Sequence, residues 1–207
     1  MDLRRYHLQE TVWLMDTKGK HIILCSNSPR RKELLGGLLT DFVVDTDSSF
    51  VENMADAGLP PKMLPLSLAI GKSNGFHRPL KEDEILITAD TIVVCDGIIM
   101  GKPSGPAQAR QMLKTLSGKT HFVITGICVR DSMRMETASD TAKVTFTSLS
   151  DKEIDYYIEN YRPFDKAGAY GIQEWIGYIG IPSIEGSFYT VMGLPVHLVY
   201  ELLLRFI

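Results

Sequence analysis

Ile22-Ile-Leu-Cys-Ser-Asn-Ser-Pro-Arg-Arg-Lys-Glu-Leu-Leu35 reads as an apolar strand, a polar turn and the opening of a helix. Ser28 occupies an N-cap position, and Pro29 the first helical position, where a missing N–H is tolerated. Arg30, Arg31 and Lys32 then set three cations in the first turn, against the positive end of the helix dipole. Two readings are open. The turn is a solvated basic patch, at a cost of about 0.3–1 kcal/mol per charge. Alternatively, backbone N–H groups, dipole and guanidiniums converge on an anion, most simply a phosphate. Strand-turn-helix is the context in which such phosphate sites occur.

Working outward, strand and helix patterns interleave. Phe42-Val-Val-Asp45 reads as a second strand, followed by an acidic, irregular stretch to Pro61. A helix is expected from Met63 to Ser73, where Gly71 and Asn74-Gly75 weaken or end it. Glu84 to Cys95 is a dense apolar strand, and Asp96-Gly97 turns it into a return strand, Ile98-Ile-Met100. Helical spacing follows from Ser104 to Leu116, then a strand from His121 to Arg130 and an antiparallel partner from Glu136 to Ser148. Ser150-Asp-Lys-Glu153 is a capping box opening a helix to Tyr161. After a glycine-rich turn region at Asp165 to Gly171, short strand material is expected around Tyr178 to Ile181, and a final helix from Pro195. The pattern predicts an α/β fold with a mixed sheet flanked by helices.

Composition narrows the function classes. The 207 residues carry a formal net charge of -3 with 23% charged and 44% hydrophobic residues. This is an ordinary soluble composition, without the basic excess of a duplex-binding domain. No apolar run approaches the ~20 residues of a membrane-spanning helix, and Met1 to Lys20 has no apolar signal core. Residues 1–20 read as an N-terminal extension and 21–207 as one structural unit. The three cysteines (Cys25, Cys95, Cys128) sit in apolar runs without pairing motifs, as small thiols do in a reducing cytoplasm. The five histidines form no zinc pattern.

Asp90 is the second informative residue. It interrupts Ile85-Leu-Ile-Thr-Ala-Asp-Thr-Ile-Val-Val-Cys95, where a carboxylate needs a cation, N–H donors or a metal. It either braces a neighbouring loop or does chemistry. The Asp96-Gly97 reversal returns Lys102 towards it, as a loop lysine or a charge neutraliser. Neither a P-loop nor a Gly-x-Gly-x-x-Gly fingerprint nor a Gly-x-Ser-x-Gly elbow is present, so any phosphate handling must come from dispersed residues.

Five motifs in order then carry a resemblance. They are Ser26-Asn-Ser-Pro-Arg-Arg-Lys-Glu-Leu-Leu35, Ala89-Asp-Thr-Ile-Val-Val94, Gly101-Lys-Pro103, Asp165-Lys-Ala-Gly-Ala-Tyr-Gly-Ile-Gln173 and Gly186-Ser followed by Val191-Met-Gly-Leu-Pro195. Together, from about His21 onward, they closely resemble the Maf family of nucleoside triphosphate pyrophosphatases. The resemblance implies a fold like that of the inosine triphosphate pyrophosphatases, with an elongated mixed sheet and a central cleft between two lobes. It implies hydrolysis of a nucleoside triphosphate to monophosphate and pyrophosphate with a divalent cation, Mg²⁺ or Mn²⁺, in a homodimer; the composition adds the expectation of a cytoplasmic protein with no nucleic-acid or membrane partner.

Carried onto this chain, the resemblance has Ser26, Arg30 and Arg31 holding phosphates, with Lys72 and Lys102 neutralising charge. Asp90 is the central acidic group, for metal or water, and Glu52 the second carboxylate, with Asp47 its rival. Gln173, with Thr91, reads the base. Arg30-Arg31 and Ala169-Tyr-Gly-Ile-Gln173 match the branch acting on dTTP and UTP, and an amide carrying both donor and acceptor suits a uracil or thymine edge. The chain departs from the family pattern at Ser73-Asn74-Gly75, where relatives more often continue a helix with alanines, and at Thr190, where Asn is common and a looser local contact is expected. The alternative implied by the family's link to septum formation is a nucleotide-sensing or division-inhibiting protein.

Overall fold

The computed structural model describes residues 15–51 and 58–207. β1 (His21–Leu24) is buried on both faces from Ile22 onward and ends at the polar turn. α1 (Pro29–Gly36) begins as its sequence dictates, with Ser28 Oγ accepting the Arg31 N–H at 3.4 Å. It ends at Gly36, with Gly37 as its C-cap. β2 (Val43–Val44) is a two-residue edge strand.

α2 (Leu64–Asn74) runs past Gly71 to Asn74, while β3 (Glu84–Cys95) is the longest strand and almost wholly buried. Asp96 (φ 50°) and Gly97 (φ 78°) supply the two left-handed residues that turn it into β4 (Ile98–Met100). α3 (Pro106–Leu116) leads to the hairpin of β5 (Thr120–Arg130) and β6 (Met135–Thr145). α4 (Asp151–Tyr161) carries the reciprocal capping box at Ser150 and Glu153.

The expected strand at Tyr178 to Ile181 is a correction. Residues Trp175–Gly180 form a short helix, α5, and the strand, β7, comes after it at Ser183–Glu185. Ile176 is fully buried while Tyr178 is exposed, and the Gly177 N–H reaches back to Glu174 O at 2.8 Å. Six apolar residues leave too short a window for period alone to separate helix from strand. A further short helix, α6 (Phe188–Met192), precedes α7 (Val196–Leu203).

The sheet order is β2-β1-β3-β5-β6-β7, with β4 also paired to β3. β2, β1 and β3 are parallel, and β3, β5, β6 and β7 are antiparallel, giving the mixed sheet that the sequence pattern predicts. Two cores divide it along its length. Ile85, Ile87 and Ala89 of β3, with Ile127 and Val129 of β5, pack under Leu35 of α1 and Val199, Leu202 and Leu203 of α7. Val93 and Cys95, with Val123, pack under Leu113 of α3, Ile154 and Tyr157 of α4, and Ile176 of α5. Each fully buried Leu or Ile contributes about 1.5–3 kcal/mol. β3 and β5 run continuously through both cores, so the two lobes share one rigid pair of strands. α2 covers the opposite face through Leu64 and Leu68, which meet Ile92, Val94 and Ile124.

Candidate active site

β3 has β5 along one edge, from Leu86 to Val94. On its other edge β1 pairs with Glu84–Ile87 and β4 with Val93–Cys95. Between them, residues 89–92 have no strand neighbour on that edge among the described residues. A cleft of about 680 Å³ opens at this gap. It lies beyond the carboxyl end of parallel strand β1, where α/β sheets place their ligands. Because side chains alternate, Asp90 and Thr91 leave opposite faces of β3, and an open edge lets both reach the same cleft.

Thr91 meets α1. Arg31 Nη2 donates to Thr91 Oγ1 at 3.0 Å, its Nη1 to Ser26 Oγ at 3.3 Å, and its Nε to Gly193 O at 2.7 Å. The guanidinium is thus fixed by three elements of structure. Thr91 Oγ1 also pairs with Thr125 Oγ1 at 2.9 Å, and Thr125 donates to Thr190 O at 2.9 Å. Thr190 in turn donates its hydroxyl to Asp140 Oδ2. The contact expected to be loose at Thr190 is therefore closed: the shorter side chain reaches an acceptor on β6.

Asp90 meets α2. Lys72 Nζ lies 2.5 Å from Asp90 Oδ1, with the side chains only 17% and 13% exposed. Three contacts seat the helix there. Thr88 Oγ1 donates to Ala69 O at 2.7 Å, and Arg130 donates through Nε and Nη2 to Ser73 Oγ and O, both at 2.9 Å. The third is steric. Gly126 sits across the sheet from Asp90, and a Cβ on it would lie 2.4 Å from Leu66 N. Only glycine lets the α2 backbone come this close. Residues 46–50 then close the wall, pinned by Ser48 Oγ to Lys72 O at 3.3 Å and Ser49 N to Gly75 O at 2.8 Å.

The far wall is the loop 165–173. Arg30 Nη1 donates to Asp165 Oδ2 at 2.8 Å, and Lys166 Nζ to Asp165 Oδ1 at 2.8 Å. Burial pushes the Asp165 carboxyl up, but these two cations outweigh it and hold it below the usual carboxylate range. Tyr170 lines the cleft, and its hydroxyl pairs with His121 Nε2 at 2.8 Å. Gln173 lines the cleft as well, and its Oε1 is buried without a hydrogen bond among the described residues.

Ser26, Arg30, Arg31, Lys72, Asp90, Thr91, Lys102 and Gln173 all line this one cleft. Lys102 is exposed on its rim, with no hydrogen bond or ion pair among the described residues. Glu52 lies outside the described residues, and Asp47 faces His77 at 3.9 Å. Lys32 is exposed and takes no part in lining the cleft, so two of the three opening cations serve it. Asp165 and Lys166 are cleft residues that the charge argument did not single out, although they stand inside a quoted motif. Cys25 also lines the cleft, but burial pushes its thiol up, which makes it a poor nucleophile.

The donor set suits a hard, substrate-shared cation. Among the described residues no cluster of three or more His, Cys, Asp or Glu forms a metal cage. Asp90 Oδ2 accepts no hydrogen bond among the described residues, and Mg²⁺ commonly takes only one or two carboxylates plus phosphate oxygens and water. Among the described residues no helix is long and apolar enough to cross a membrane.

Comparison with known proteins agrees over almost the whole chain. A protein of Porphyromonas gingivalis named dTTP/UTP pyrophosphatase is 51% identical over 191 residues, covering 91% of this chain and 96% of the relative. One of the same name from Phocaeicola vulgatus is 52% identical over 179 residues, covering 86% and 92%. Another, from Flavobacterium johnsoniae, is 46% identical over 182 residues, covering 88% and 93%. The family model described as Maf-like protein matches residues 21–206, the stretch that builds every wall of the cleft described above, and the chain belongs to the Maf-like family.

Proposed function

We propose that this protein is a nucleoside triphosphate pyrophosphatase that hydrolyses dTTP or UTP to the monophosphate and pyrophosphate. The observation that carries the reading is the convergence of Arg30, Arg31, Lys72 and Lys102 around Asp90 in one cleft, with the Gln173 amide on its far wall. The names of the relatives supply the substrate class.

Arg31 is held ready for a phosphate oxygen by Ser26, Thr91 and Gly193, so little ordering remains when substrate arrives. Arg30 exchanges part of its bond to Asp165 for the triphosphate, and Lys102 offers a mobile point charge at the rim. Asp90 serves as the central carboxylate, as cation ligand or as acceptor of the water proton, with Glu52 as its partner. A divalent cation, Mg²⁺ or Mn²⁺, held by Asp90 and phosphate oxygens would offset charge developing at the reacting phosphorus. Lys72 keeps the Asp90 carboxylate oriented.

Residues 21–207 act as one catalytic unit in this reading. Three free, buried thiols support a reducing, cytoplasmic setting. The homodimer rests on the family resemblance, and sedimentation checks it. The test of function is a panel of nucleoside triphosphates with Mg²⁺ or Mn²⁺, read as pyrophosphate released. UTP and dTTP are expected to lead, and Asp90→Asn to remove turnover. Tight nucleotide binding without hydrolysis would instead support a sensing protein.

A further inference from the structure

Behind the far wall lies a set of polar groups that the phosphate chemistry does not use. Tyr157, on α4, is fully buried, and its hydroxyl accepts the Gly171 N–H at 2.9 Å. The same hydroxyl donates to Glu174 Oε2. Glu174 Oε1 lies 3.0 Å from Lys166 Nζ, and Lys166, only 8% exposed at its side chain, also bonds Asp165. Gly171 is enclosed by this set: a Cβ on it would lie 2.7 Å from Glu174 Cδ and 3.0 Å from Lys166 Cε. The bonds therefore bracket the loop on both sides of residues 171–173, from Arg30 through Asp165 and Lys166 to Glu174 and Tyr157.

Gln173 stands inside this bracket with its Oε1 buried and without a hydrogen bond among the described residues. A buried acceptor left unsatisfied costs about 1–3 kcal/mol, so a site that keeps one is completed by a donor. We infer that Glu174 and Tyr157 are positioning residues for base selection, holding Gln173 so that its Oε1 accepts a ring N–H, as the N3–H of uracil or thymine supplies. The inference rests on the nucleotide reading above. It makes base choice depend on two residues that do not line the cleft, and it assigns a role to a Tyr–Glu–Lys network that a folding function alone leaves without a direction.

The test measures binding, so that it stands apart from turnover. Dissociation constants are determined for the intact chain with a non-hydrolysable α,β-imido analogue of UTP, its N3-methyl derivative and inorganic tripolyphosphate. The unsubstituted protein is expected to prefer the UTP analogue over the N3-methyl compound by about tenfold or more. Glu174→Gln, close to isosteric, and Tyr157→Phe are expected to erase most of that preference while tripolyphosphate binds as before. No preference in the unsubstituted protein, or the same preference retained in Glu174→Gln, overturns the inference. So does an equal loss for all three compounds, the mark of a merely structural role. If Tyr157→Phe does not fold, Glu174→Gln decides alone. Hydrolysis of UTP is assayed separately, and its absence would overturn the proposed reaction while leaving the binding result to judge Glu174 and Tyr157.

Discussion

The two ends of the cleft are built on different terms. At the end proposed to hold phosphates, charged groups are already paired within the protein: Asp90 Oδ1 with Lys72, Arg30 with Asp165, and Arg31 with Ser26, Thr91 and Gly193. At the end proposed to hold the base, a buried acceptor, Gln173 Oε1, has no hydrogen bond among the described residues while its surroundings are braced. The difference teaches how affinity and choice divide. Charges that are prepaired keep the empty site stable, and the substrate exchanges one set of ionic bonds for another, with modest net gain and high orientation. An unpaired acceptor gives little total affinity but penalises every ligand that cannot donate to it, which is how specificity arises.

Breaking the phosphate end has the largest expected effect. Asp90→Asn is expected to lower kcat by about 10²- to 10⁴-fold for every nucleotide alike. Steady-state kinetics on UTP and a purine triphosphate check it, and a loss confined to one base would place Asp90 in recognition instead. Next comes Gly126→Ala. The added methyl forces α2 away from β5, at an overpacking cost of about 1–3 kcal/mol, and pulls Lys72 off Asp90. Urea denaturation and kcat are expected to fall together, and loss of stability with unchanged kcat would detach the packing from the site.

Gln173→Ala sharpens the contrast from the other side. It is expected to cut the preference for UTP over other triphosphates by about tenfold, mostly through KM, with a smaller effect on kcat. Thr190→Val removes the hydroxyl bonded to Asp140. Its effect on Arg31 is indirect, so only part of the about 1.5–3 kcal/mol of a hydrogen bond to a carboxylate reaches the site, and a rise in KM of about two- to fivefold is expected across all nucleotides.

One effect is confined to acid pH. His121 is buried against Phe146 and Tyr170, and desolvation pushes its pKa down from 6.5 to about 4. The unfolded chain therefore binds a proton that the folded chain refuses between those values. Stability is full above pH 6.5 and declines as pH falls towards 4. His121→Gln is expected to flatten that slope in urea titrations at pH 7, 5.5 and 4.5, and an unchanged slope would assign it elsewhere.

Much of this was legible in the residues because some of them are locally misplaced. Arg30 and Arg31 oppose a helix dipole, and Asp90 interrupts an apolar strand; each is costly unless something answers it. The long strands and the capped helices followed from period and from Ser28, Ser150 and Asp96-Gly97. The rest depends on contacts distant in sequence. Gly126 reads as a glycine that weakens a strand, and only the approach of Leu66 explains it. Tyr157 reads as one more apolar-face residue of α4, since its hydroxyl finds Gly171 and Glu174 through the fold alone. The helices at Trp175 and Phe188 are too short to show a period. Thr190 departs from the family pattern in sequence, yet Asp140, fifty residues earlier in the chain, makes it fit.

In the proposed reaction the cleft directs water to the bond between the α and β phosphates. Phosphorus NMR of UTP incubated with the protein and Mg²⁺ tests it most directly. UMP and pyrophosphate are expected as the only products, with both formed at least about a hundredfold more slowly by Asp90→Asn. Release of orthophosphate with UDP, or undiminished pyrophosphate from the Asp90→Asn protein, would contradict it.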